Sequence, residues 1–175
     1  MTGLRRLMVL AFGLAAVPCG ELIAEPLTVD IQVKTSHENN SRTGNKVYFS
    51  LLHRKGRNSK PKFVTAELRN AKKRNFTAGA ISKFQVKLDC SLRDVYAFGL
   101  SVGNSDDAWS CEGIKFQITR GGQRSQVISQ PIPRSQRWFS AAANDGGKKA
   151  RAKQFRIFSM PKPKLSVRNP RLNAN

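Results

Sequence analysis

Leu27-Thr28-Val29-Asp30-Ile31-Gln32-Val33-Lys34 alternates apolar and polar side chains without a break. In an extended chain successive side chains point to opposite faces, so this stretch is a strand with one face buried and one wet. The same period recurs downstream. Asn45-Lys46-Val47-Tyr48-Phe49-Ser50-Leu51-Leu52 follows the loop SHENNSRTG, and Lys62–Arg69 (KFVTAELR) turns Val64, Ala66 and Leu68 inward. Phe84, Val86 and Leu88 do the same in KFQVKLD, and Val95–Val102 puts Tyr96, Phe98, Leu100 and Val102 on one face. Ile114, Phe116 and Ile118 define GIKFQIT, while Gln126-Val127-Ile128 and Arg137-Trp138-Phe139 are two shorter candidates. No window sustains a helical period, and turn signals (RTG, NSK, TAG, GNSDD, RGG) punctuate the runs. The prediction is an all-β fold, an eight-stranded antiparallel β-sandwich.

The flanks read differently. Met1–Ala24 has Arg5 and Arg6 ahead of the apolar run Leu7–Pro18, with small-residue ends at Val17-Pro18-Cys19 and at Leu22-Ile23-Ala24. That order is a secretory signal peptide. Its apolar run falls short of the roughly 20 residues a membrane span needs. The expected plan is a signal peptide at residues 1–24, a sandwich at 25–140 and a tail at 141–175. The tail sets nine bases against Asp145 with little periodicity, and only Phe155, Ile157 and Phe158 offer apolar anchors. A mostly flexible basic extension is expected there. Localisation follows as secreted and extracellular, or periplasmic if the source is bacterial.

A chain of 175 residues leaves room for one ordinary domain and excludes a multi-domain enzyme. Thirty-one Lys and Arg against eleven Asp and Glu give a formal net charge of +20 and a pI near 10.9. With 39% hydrophobic residues a core can form, so full disorder is excluded. Such a charge seeks anionic partners: lipid headgroups, acidic glycan or nucleic acid. It concentrates in Arg54, Lys55, Arg57, Lys60, Lys62, Arg69, Lys72, Lys73 and Arg74, opposed by Glu67 alone. A solvated face is the usual meaning of mixed charge, but nine to one is not mixed. These residues flank the strand KFVTAELR and form a candidate anion-binding ridge.

Phe76 follows the basic triplet Lys72-Lys73-Arg74 closely, and a ring beside cations is what an interfacial anchor requires. Phe76 and Trp109 are the candidate membrane-contact aromatics; a core position is the competing reading, and the favoured one for Trp109. Asn39-Asn40-Ser41 and Asn75-Phe76-Thr77 are glycosylation sequons, meaningful only in a eukaryote. Once Cys19 leaves with the signal, Cys90 and Cys111 remain. In an oxidising compartment such a pair is most simply one disulfide, stabilising by about 3 kcal/mol. No Cys-x-x-Cys occurs and His37 and His53 are remote from both cysteines, so no metal site is expected.

From Leu27 to Ser140 the order of features resembles a PLAT/LH2 domain. Leu27–Thr35 and Gly44-Asn45-Lys46-Val47-Tyr48-Phe49-Ser50-Leu51 are similar to that family's opening strand pair. The run FQVKLDCSLRDVYAFGLSVGNSDDAWSCEGIKFQI resembles its centre, and Arg137-Trp138-Phe139 its final strand. The resemblance implies an eight-stranded sandwich used as a targeting module, which docks lipases, lipoxygenases, toxins and receptors on membranes or proteins. It implies no catalysis. Three departures stand out. Asn45 follows Thr43-Gly44 where the family often has an acid, which weakens calcium binding. Ser110-Cys111 follows Trp109 in place of an aromatic-leucine pair, and the charge is far more basic.

Gly99-Leu100-Ser101-Val102-Gly103 matches the nucleophile-elbow pattern G-x-S-x-G. An elbow needs a following helix and a later His. Here GNSDDAWSC is loop, and both histidines precede Ser101, so the match is chance and no enzyme is expected. Asp106 and Asp107 are candidate calcium ligands, with Glu38, Asn39 and Asn45 as helpers. Calcium wants six to eight oxygens, and a backbone-bonded turn is the preferred reading. No cofactor is predicted beyond that calcium option. Three functions stay open: a secreted non-enzymatic module docking on membrane lipid, a protein-binding adaptor, or a cationic effector on acidic glycan or nucleic acid. A monomer is expected.

Overall fold

The alternating stretch becomes strand β1 (Leu27–Thr35), in which Leu27, Val29, Ile31 and Val33 are buried while Gln32 and Lys34 stay exposed. The computed structural model describes residues 25–39, 41–56, 58–69, 76–103, 107–141 and 154–166. The expected signal peptide and most of the tail lie outside these. Ten further strands follow among the described residues: β2 (Val47–His53), β3 (Lys62–Glu67), β4 (Ile81–Leu88), β5 (Val95–Val102), β6 (Trp109–Arg120), β7 (Gln123–Ser125), β8 (Ile128–Pro131), β9 (Trp138–Phe139), β10 (Phe155–Ser159) and β11 (Leu165–Ser166).

They make two antiparallel sheets. The larger runs β11-β7-β6-β1-β4, with β8 and β9 also paired to β6, and the smaller runs β10-β5-β2-β3. β1 sits centrally because every second residue is apolar and both its edges are paired, to β4 and to β6. Gly121 and Gly122 close the β6–β7 hairpin with φ of 52° and 75°. A two-residue hairpin loop favours positive φ at both positions, which glycine adopts without strain.

The inward faces meet in an aromatic core. Phe116 of the large sheet packs edge-on against Phe49 at 5.2 Å and Phe98 at 5.0 Å, both from the small sheet. Phe98 also stacks on Phe158 at 5.1 Å. Phe158 belongs to the region expected as flexible tail, yet β10 pairs with β5 along its whole length and β11 pairs with β7. The sandwich therefore extends past Ser140, because burying Phe158 and Met160 outweighs the ordering entropy of a short strand. Residues 142–153 and 167–175 lie outside the described residues.

Among the described residues eleven strands stand where eight were expected, and Gln126-Val127-Ile128 falls largely between β7 and β8. The expected disulfide is also corrected. β4 and β6 are both antiparallel to β1 and so run parallel to each other. Cys90 follows the end of β4, where Leu88 pairs with Leu27; Cys111 lies near the start of β6, opposite Thr35. Eight steps of β1 separate those levels, about 26 Å. Bridged Cα atoms lie within roughly 7 Å. Both cysteines are free and buried. Burial pushes the Cys90 thiol up to about 11, with Asp89 adding to it, and the Cys111 thiol up to about 12.

Candidate docking surface

The β2–β3 hairpin loop carries Arg54, Lys55 and Lys60, and β3 begins with Lys62; all four are exposed. Arg69 is exposed beyond the other end of β3, about 20 Å along the edge. Arg57, Lys72, Lys73 and Arg74 lie outside the described residues. Glu67, the acid within the ridge, pairs with Lys46 of the β2 entrance at 3.8 Å. The Arg54 guanidinium lies 5.5 Å from the Tyr96 ring centre, which ties the hairpin loop to the start of β5.

The two aromatics singled out from sequence are not on the surface. Phe76 is 3% exposed, stacks on Phe84 at 5.4 Å and meets Trp109 edge-on at 5.1 Å. Trp109 is fully buried and donates from Nε1 to Thr35 Oγ1 at 3.2 Å. Membrane contact by Phe76 and Trp109 is thereby corrected, and the core position expected for Trp109 is found. The Phe76 backbone turns through φ 59°, with its N–H donating to Ser82 Oγ at 3.1 Å. Such a φ costs about 1–3 kcal/mol. Burying the ring returns about 1.5–3 kcal/mol, and aromatic pairing about 0.5–1.5 more. Burial wins.

Ile81 and Val127 are exposed singly on the large sheet, whereas exposed apolar groups come together on the outer face of the small sheet. Phe63 is 49% and Ile157 52% exposed, and the Phe63 ring meets Phe155 edge-on at 5.4 Å. Beneath them lie Leu52, paired with Phe63 and Ala97, and the small outward residues Ala97, Gly99 and Ser50. The Phe155 ring lies directly over Gly99, where an added Cβ would come within 2.7 Å of it and push the ring aside. Phe63 adjoins Lys62, and so sits at the end of the sheet that carries Arg54, Lys55 and Lys60. The signal was present in the sequence: Phe63 has outward parity in KFVTAELR, where an outward residue is ordinarily polar.

At the opposite end of the sandwich a cleft of about 700 Å³ opens between the β1–β2 loop and the chain after β3, lined by Arg42, Lys46, Arg69 and Asp107 among others. Asp107 Oδ2 accepts from Thr43 Oγ1 at 2.9 Å and from the Gly44 N–H at 2.6 Å. Asn45 Nδ2 donates to the Gly103 carbonyl at 3.1 Å. Asp107 thus clamps one loop to the next. Among the described residues no three His, Cys, Asp or Glu side chains gather as a metal site, and Asp106 lies outside them.

Ser101 lies within β5, paired to Tyr48 and Phe155. His53 pairs with Val95 at the far end of the same strand, about 20 Å away. His37 packs against Gly79 in a separate loop. Glu112 bonds Lys34 at 2.7 Å and lies 3.6 Å from Arg137, and the Lys34 hydrogen bond holds its carboxyl below the usual range.

The family model described as PLAT/LH2 domain matches residues 29–152. A lipoxygenase deletion variant (Delta413-417:GS LOX) aligns over 77% of this chain and 16% of its own, at 13% identity and a TM-score of 0.52. The alpha toxin from Clostridium absonum aligns over 81% of this chain and 33% of its own, at 14% identity and the same TM-score. The chain thus spans about a sixth of the lipoxygenase and a third of the toxin, and these likenesses concern the fold. No curated protein matches the sequence.

Proposed function

The chain belongs to the PLAT/LH2 domain family, and from that premise we propose that it is a non-catalytic docking module which attaches to anionic membrane. The observation that carries this reading is the outer face of the small sheet, which presents Phe63, Phe155 and Ile157 and carries Arg54, Lys55, Lys60 and Lys62 at its Phe63 end. Each cation near an anionic leaflet contributes about 1 kcal/mol. The apolar side chains add burial that salt does not screen. Of the other ridge positions expected from sequence, Arg69 lies at the far end of β3, and Arg57, Lys72, Lys73 and Arg74 lie outside the described residues. Export is part of the proposal and is supported by the Arg-then-apolar order of residues 1–24. The module acts as a monomer and needs no calcium.

Co-sedimentation with phosphatidylserine vesicles tests this, with phosphatidylcholine vesicles as control. The reading expects binding to the anionic vesicles, and loss of most of it in the triple variant Lys55→Glu, Lys60→Glu, Lys62→Glu. Unchanged sedimentation of that variant, with its fold intact, would move the membrane contact elsewhere. Calcium-dependent sedimentation would overturn the calcium-free part.

A further inference from the structure

The outer face of the large sheet carries a second basic surface that shares no residue with the first. Outward residues of β4, β1 and β6 line up in rows: Lys83, Gln32 and Lys115 in one, Gln85, Asp30 and Gln117 in the next. Lys87 and Arg124 lie in the row beyond, paired through Thr28 and Thr119. Strand spacing puts Lys83 and Lys115 about 10 Å apart with Gln32 between them. Lys83, Lys87, Lys115, Arg124 and Gln32 are exposed, and among the described residues none has an ionic or hydrogen-bonding side-chain partner. Asp30 is the acid within the rows, and it accepts from Gln85 Nε2 at 2.8 Å. Two shallow grooves of about 280 and 260 Å³ meet here and share Gln32 and Lys115.

We propose that this platform binds an acidic polysaccharide, its lysines taking sulfate or carboxylate groups and Gln32 the hydroxyls between them. The amide of Gln32 is both donor and acceptor, which suits a hydroxyl. The exposed aromatics among the described residues, Phe63 and Tyr96, belong to the small sheet. The platform therefore offers no ring for a base to stack on, as single-stranded nucleic acid binders do. It also presents no apolar cluster for insertion into lipid, since Ile81 and Val127 lie apart on it. Neutral polysaccharides, which would need contacts other than charge, are not ligands. This surface is independent of the membrane reading, and each can fail alone.

The test is isothermal titration of the full chain with a heparin octasaccharide at low salt, set beside a dT octanucleotide and uncharged dextran. Lys83→Glu with Lys115→Glu should weaken heparin binding at least about tenfold, with the gap closing as salt rises. Lys60→Glu with Lys62→Glu should change it less than threefold. Lys83→Gln with Lys115→Gln serves as the milder pair if the reversal perturbs the fold, and Gln32→Ala should cost a few-fold. Anionic vesicle binding of the platform variants should stay at the level of the unmodified protein. Equal loss of heparin binding from both reversal pairs would overturn the proposal, since it would mean diffuse charge alone. Tighter binding of the oligonucleotide than of heparin, lost in the platform variants, would make the ligand nucleic acid and overturn it too.

Discussion

The two outer faces of the sandwich arise from the same alternating strands and differ in what they show to water. The large sheet presents Gln32, Lys83 and Lys115 on a flat polar surface. The small sheet presents Phe63, Phe155 and Ile157 over a floor of Leu52, Ala97, Gly99 and Ser50, with cations at one end. Both faces carry cations; what separates them is that the exposed apolar groups adjoin one another on the small sheet, while Ile81 and Val127 lie apart on the large one. Electrostatics brings either face to an anionic partner, but only burial of rings and methyl groups persists at high salt. The contrast predicts two ligands with different salt behaviour.

Both faces rest on one core, so the largest effect should remove them together. Phe98→Ala deletes a ring that contacts Phe49, Phe116 and Phe158. It should cost about 3–5 kcal/mol, read as a lower urea midpoint, with vesicle and heparin binding falling in step with the folded fraction. Retention of one activity without the other in this variant would mean that the faces are separate folding units.

Next in size is reversal of the hairpin cations. Lys55→Glu, Lys60→Glu and Lys62→Glu together should lower anionic vesicle affinity by about two to three orders of magnitude at low salt, at about 1 kcal/mol per charge removed or more on reversal. Stability should change little, because exposed side chains rarely contribute more than about 0.5 kcal/mol. If high salt alone erases all binding of the unmodified chain, the rings add nothing, and the distinction between the faces collapses to charge.

The smallest effect concerns Glu112, which borders the platform and engages Lys34. Its carboxyl is held below its ordinary value of 4.5, mainly by the Lys34 hydrogen bond. The folded state binds that proton less readily than the unfolded state does. The contribution is therefore fully present above the unfolded value and is lost as pH falls through the folded one. Glu112→Gln should reduce the drop in melting temperature between pH 6 and pH 3 slightly. It should also free Lys34 and raise heparin affinity a few-fold; an unchanged affinity would leave Lys34 outside the platform.

Much of this was legible in the residues. The strand at Leu27–Thr35 has uninterrupted apolar periodicity on a buried face, and in Val95–Val102 the same period buries Phe98, Leu100 and Val102 while Tyr96, expected on that face, is exposed. Strand direction was not legible. Spacing suggested that Cys90 and Cys111 close a short loop, but β1 lies between their strands and sends them to opposite ends. Phe76 read as a surface anchor because bases precede it, while its burial depends on the contacts with Phe84 and Trp109. The polar platform left no local mark: Lys83, Gln32 and Lys115 lie far apart in sequence and look like the wet side of three ordinary strands. The basic hairpin stood out because its cations are contiguous.

The most direct test of docking by the small sheet places a reporter at its exposed ring. Phe63→Trp adds a tryptophan at an exposed position, while the native Trp109 and Trp138 remain buried as a constant background. Phosphatidylserine vesicles whose acyl chains carry bromine should shift the added emission to the blue and quench it. The same vesicles should leave the unmodified chain and Gln32→Trp unquenched. Vesicle-bound protein whose residue 63 stays unquenched, with quenching at residue 32 instead, would contradict membrane docking through the small sheet.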